Sequence, residues 1–155
     1  MAMYRKGQEM DTAGMVGLMG LTFFCNKCVE VFYKFTRGES SSSELNEICN
    51  RAISAFKSLK WPREIDLQST EQIALFNTNE EIESFERVLE SQSGQAEKML
   101  NELIEELNFV LCNEKPLNQR VEKARKLQLF FDTLGDYSFY ATKDYLKETP
   151  TMMGV

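Results

Sequence analysis

Four glutamates and two cysteines have the types and spacing that could do chemistry. Glu83/Glu86 and Glu102/Glu105 each form an E-x-x-E pair, and Cys25/Cys28 form a C-x-x-C pair. On a helix, carboxylates three apart share one face. Two such pairs on facing helices could hold Mg²⁺ for hydrolysis of a nucleotide pyrophosphate. Two thiols at this spacing could bind zinc or cycle through a disulfide. A third constellation is basic. Arg120, Lys123 and Lys126 recur every third residue, with Lys115 and Arg125 nearby. Such a face could contact phosphates or an acidic protein.

Each constellation has a plainer competing account. The glutamate pairs are distantly similar to the motif of all-α nucleotide pyrophosphatases of the MazG and dimeric dUTPase type, which pairs E-x-x-E with E-x-x-D. The resemblance implies Mg²⁺-dependent hydrolysis with Glu83, Glu86, Glu102 and Glu105 as metal ligands. Here the second pair ends in Glu105 where that motif has Asp. Nine acidic residues lie between Glu80 and Glu106, so chance pairs are expected, and a solvated acidic face is the simpler reading. Cys49 and Cys112 stand alone, so no second close pair completes a four-thiolate site. Cys25 and Cys28 fall inside an apolar run, where thiols act as small hydrophobes. Between the basic positions no aromatic interleaves, as base stacking would want. The basic face therefore suits a protein partner, or the chain's own acidic helix, better than nucleic acid.

The chain contains no histidine. This excludes Ser-His-Asp and Cys-His nucleophile pairs, zinc sets that use His, the Glu-x-x-His di-iron motif, and a histidine pH switch. Net charge is −6, unevenly spread. Residues 64–114 carry thirteen acidic and two basic side chains, whereas the flanking segments are net basic. An acidic chain is a poor whole-surface ligand for nucleic acid, and segregated charge can steer a protein partner.

The elements that must position these residues read as helices. A chain of 155 residues suits one domain. No stretch shows convincing period two, whereas three- and four-residue apolar steps recur throughout. The first pattern runs through Leu18, Leu21, Phe24/Cys25, Cys28/Val29, Phe32 and Phe35, with Asp11 or Thr12 as its expected N-cap. Gly14, Gly17 and Gly20 recur within it, which favours close approach by a neighbouring helix over a segment that frays or refolds on meeting a partner. Its uncharged run spans only Gly14 to Cys25, short of the roughly 20 residues a membrane span needs. No cleavage site follows it, so no membrane association and a cytoplasmic location are expected.

Ser41 with Glu44 has capping-box spacing and opens a second helix expected to end near Trp61, before Pro62. Ser69–Phe76 reads as a short helix. Thr78 with Glu81 caps a long pattern through Leu107 and Val110; either it is one long helix, or Gly94 ends one helix and begins a tight hairpin, and the apolar phase surviving Gly94 slightly favours the continuous helix. Residues 117–134 form another, with Gly135-Asp136 as a candidate stop before a final helix. Phe130, Phe131, Tyr137, Phe139, Tyr140 and Tyr145 cannot share one stripe, so some are candidates for a protein–protein surface.

The expected architecture is all-α: a single-domain helical bundle of five or six helices over residues 1–148, with the Gly/Cys-containing N-terminal helix central and residues 149–155 a flexible tail. The expected role is non-catalytic, without cofactor or metal. The chain reads as an accessory subunit of a larger assembly, of prokaryotic type by analogy, or a homo-oligomer. Arg120, Lys123, Lys126, Tyr137, Tyr140 and Tyr145 are its candidate docking residues. The pyrophosphatase is the first alternative. A nucleic-acid-contacting small subunit using the basic face of the 117–134 helix is the second.

Overall fold

The structure is a computed structural model describing residues 2–39, 41–59, 76 and 79–148, without the side chains of 2–14, 58 and 145–148. The described residues form five α-helices: α1 (Ala2–Thr36), α2 (Ser42–Ser58), α3 (Asn79–Ser93), α4 (Ala96–Leu111) and α5 (Leu117–Glu148). No strand occurs among the described residues, and the architecture is the expected all-α bundle.

Two helices dominate. At 1.5 Å per residue, α1 is about 52 Å long and α5 about 48 Å. They run antiparallel. Thr22 meets Ser138, Phe32 meets Phe131, and Phe35 meets Arg120, so residues late in α1 face residues early in α5. The three shorter helices pack on this pair and on one another. α2 and α3 touch α1, while α3 and α4 touch α5. Helix α1 is thus a spine, as its uncharged apolar run from Gly14 to Cys25 implies. Leu21, Cys25, Cys28 and Phe32 on its inner face are buried.

The core is aromatic. Phe56 lies 5.0 Å from Phe85, which lies 4.9 Å from Phe76. Phe131 sits about 6 Å from Phe24, Phe32 and Phe56, joining α1, α2 and α5. Phe130 and Phe131 are both buried although adjacent, because α5 has neighbours on two sides: α1 beside Phe131 and α3 beside Phe130.

Local signals were followed where a side chain fixes the backbone. Ser41 is extended, and its Oγ accepts the Glu44 N–H at 3.2 Å, the expected N-cap of α2. The helix ends at Ser58, a few residues short of Trp61, with the Leu59 N–H bonded to the Phe56 carbonyl. Trp61, Pro62 and the expected Ser69–Phe76 helix lie outside the described residues except for Phe76, which is buried. Thr78 and the 149–155 tail also lie outside them.

Three expectations are corrected. Helix α1 starts at Ala2, not at Asp11 or Thr12. The residues before Asp11 are mostly good helix formers, so nothing obliges the helix to begin at a possible cap. The 79–112 pattern is two helices, not one. Gly94 adopts φ +72°, its N–H bonds the Glu90 carbonyl at 2.8 Å, and Ser93 Oγ accepts the Gln95 N–H. A left-handed glycine closes α3 and turns the chain directly into α4. Conversely, α5 runs unbroken through Gly135-Asp136. Gly135 is there for room: a Cβ on it would lie 3.0 Å from the Cys25 Cβ.

Met15–Thr36, which includes Lys27, Glu30 and Lys34, is long and apolar enough to cross a bilayer by length and composition alone. The shorter span counted from the sequence stopped at the first charge, Lys27. In the fold, the inner face of this segment is spent on protein neighbours.

Candidate interaction surface

Helix α5 carries all six candidate docking residues, and the fold divides them by position. Its first turns lie against α4. Arg120 donates from Nε to the Val110 carbonyl at 2.8 Å, and its guanidinium stacks 5.2 Å from the centre of the Phe35 ring. Val110 belongs to the last turn of α4, where carbonyls lack helical partners. Arg120 is therefore a brace between α1, α4 and α5. Lys123 lies one turn on, 5.9 Å from the Phe109 ring centre, with Lys115 at 5.4 Å from the same ring. Lys126 is exposed.

Opposite these lysines stands the acidic face of α4. Glu102, Glu105, Glu106, Phe109 and Lys123 line one open depression. Partial burial pushes the Glu106 carboxyl above its ordinary range; Lys123 and Lys126 pull it back down, and Glu102 adds to the rise. The basic face thus lies largely along the chain's own acidic helix, one of the two protein-docking options open from sequence.

The four glutamates of the metal alternative occupy two helices, Glu83 and Glu86 on α3 and Glu102 and Glu105 on α4. Among the described residues, no three or more His, Cys, Asp or Glu are placed to hold one metal ion. Cys25, Cys28 and Cys49 are buried, and Cys112 is half-buried. Burial pushes the first three thiols up, Cys49 to about 12, with Cys25 and Cys49 adding to the rise at Cys28. Thiols held that far from ionisation are poor nucleophiles and poor ligands.

The C-terminal half of α5 is different. Beyond Leu134 its partner is chiefly α1, through a small polar seam: Thr22 Oγ1 and Ser138 Oγ lie 2.7 Å apart, and each also bonds a carbonyl of its own helix. Outside that seam Tyr140 is 61% exposed, Phe139 49% and Tyr137 36%. Phe139 and Tyr140 meet edge to face at 5.6 Å, and Lys143 Nζ lies 5.7 Å and 5.8 Å from their ring centres. The Tyr145 side chain lies outside the described residues.

Sequence reasoning missed two exposed apolar features. Leu129 on α5 projects outward. Val16, Met19 and Phe23 form a stripe on α1, opposite the buried Leu21, Cys25, Cys28 and Phe32. The signal was present: a helical run apolar all round, here Gly14 to Cys25, must show one apolar side to solvent unless it is enclosed. No family model, curated protein or solved structure matches the chain.

Proposed function

We propose that this protein is a non-catalytic docking protein, an accessory subunit that binds another protein through the C-terminal half of α5. The observation carrying this reading is the exposed cluster of Tyr137, Phe139 and Tyr140 with Lys143 stacked over two of its rings. Aromatic side chains offer large rigid contact area at low entropic cost and are enriched in interface cores. Phe139 and Tyr140 in contact at the surface, with Tyr137 exposed one turn before Tyr140, next to a core already rich in phenylalanine, are more than the fold itself requires. The basic positions contribute less, since Arg120 and Lys123 face α4, which leaves Lys126 as the lysine best placed to meet a partner.

The test is co-purification from native source at native abundance, with the wild-type chain and a Phe139→Ala/Tyr140→Ala variant side by side. A stoichiometric partner retained by the first and lost from the second, with unchanged helicity, supports docking at this surface. A chain that elutes alone from both preparations overturns it.

A further inference from the structure

We propose that the outer face of α5 docks a helix of another protein whose contact stripe carries a pair of basic residues at its centre, an apolar residue on either side of them and an acidic residue at each end. The inference rests on the docking role assigned above to this part of α5 and names the chemistry of the partner.

Spacing defines the face. Arg125, Leu129, Asp132, Asp136, Phe139 and Lys143 follow one another at alternating steps of four and three residues. At that heptad spacing one helix presents a seam to another. All six side chains are exposed. The opposite side of α5 is buried through Leu127, Phe131, Leu134 and Ser138, so the seam points away from the bundle. From Arg125 to Lys143 it runs about 27 Å, at 1.5 Å per residue. An extended segment laid along it would leave backbone groups without partners, whereas a helix satisfies its own.

The seam reads basic, apolar, acidic, acidic, apolar, basic. Its two knobs stand well out, Leu129 at 65% exposed and Phe139 at 49%. Between them Asp132 and Asp136 lie four apart on one helix, where like charges repel. Among the described residues, no ion pair or hydrogen bond engages either aspartate side chain. Lys143 is drawn over the rings of Phe139 and Tyr140 instead. A pair of cations brought by a partner would relieve the repulsion at the centre of the seam.

The same pattern argues against a second copy. Two copies paired antiparallel with Leu129 on Phe139 set Asp132 against Asp136 and Arg125 against Lys143. Two copies paired parallel about a two-fold axis set each of these residues against itself. Both arrangements oppose like charges at the centre and at the ends, which suppresses association. The occupant is therefore a different chain of complementary sign. Its basic pair meets the two aspartates. Its acidic ends meet Lys143 and Arg125, beside which Lys126 is also exposed. The pattern reads the same from both ends, so it fixes what the partner carries whichever way the partner runs.

The test is selection of a displayed library of helical peptides, randomised at the heptad contact positions, on the full chain. Recovered peptides should carry Lys or Arg at two successive central contact positions, with apolar residues on both sides. They should bind an Asp132→Lys/Asp136→Lys variant at least about tenfold more weakly than wild type, as opposed like charges require. That variant, with unchanged helicity, should itself select Glu or Asp at the same central positions. Peptides that depend on Phe139 and Tyr140 but lack the basic pair, or that bind the charge-reversed variant equally well, would overturn this inference and leave the docking role of α5 standing. If no recovered peptide is weakened by Phe139→Ala/Tyr140→Ala, the docking role falls and the inference falls with it.

Discussion

The carboxylate of Glu81, in the first turn of α3 and only 1% exposed, fills the space that a side chain at Gly17 of α1 would need. An acidic group in a helix's first turn faces the positive end of the helix dipole, a favourable place for a carboxyl group. The glycine spacing implied that a neighbouring helix backbone approaches α1. What enters at Gly17 is a side chain from α3, and the close backbone approach is instead at Gly135, where α5 presses on Cys25.

The three glycines should respond differently to alanine, as read by thermal unfolding at low protein concentration. Gly20→Ala adds helix propensity into open space and should stabilise by about 1 kcal/mol, raising the midpoint by about 2–4 °C. Gly17→Ala forces a buried carboxylate to move, and overpacking of about 1–3 kcal/mol should exceed the propensity gain. Gly135→Ala should be the most damaging, since the Cys25 Cβ is fixed to its backbone and cannot swing aside. Equal shifts at all three would remove the packing explanation.

Arg120 and Lys126 should separate bracing from docking. Arg120→Met removes a charged hydrogen bond to Val110 and a ring contact with Phe35, and should cost about 2–3 kcal/mol of stability. Lys126→Ala should change stability by less than about 0.5 kcal/mol, as exposed substitutions do, while slowing capture of an acidic partner. Urea titration reads the first effect and association kinetics in low salt the second.

How far these roles were legible depended on whether the determinant was local. The all-helical class and the Ser41 cap were legible, because apolar periodicity and a serine three residues before a glutamate act within one turn. The Gly94 break was not, because a two-residue turn leaves the apolar phase on either side unchanged. Gly135 looked like a stop for the opposite reason. Whether a glycine ends a helix or admits a neighbour depends on what lies across from it, here a cysteine 110 positions away in sequence. The basic spacing at 120, 123 and 126 was visible in the sequence. Only the packing of α4 beside it shows that Arg120 is already engaged.

The cysteines should titrate in two classes. With a thiol reagent at mildly alkaline pH, half-buried Cys112 should react in the native protein within minutes, giving one equivalent. Cys25, Cys28 and Cys49 should react only on unfolding, bringing the total to four, because burial suppresses their thiolates. Rapid native labelling of a second cysteine would mean that the α1/α2 contact opens far below the global unfolding free energy.

Glu106 should make the protein less stable as pH rises through its titration. Its folded carboxyl lies above the ordinary range because burial outweighs the pull of Lys123 and Lys126. Between the unfolded and folded values the native state holds more protons than the unfolded chain, so stability falls with rising pH there and stays lowered above it. Glu106→Gln removes the charge but keeps the shape. The variant should therefore melt higher than wild type at neutral pH, with the gap closing once both states of wild type are protonated in acid. Glu30 runs the other way, since its hydrogen bond to Lys34 lowers its carboxyl, so the small contribution of that pair should fade as pH drops. Melting curves of the two Gln variants from acid to neutral pH should then diverge in opposite directions from wild type, and parallel behaviour would show that the Glu106 carboxyl is solvated as freely as that of Glu30.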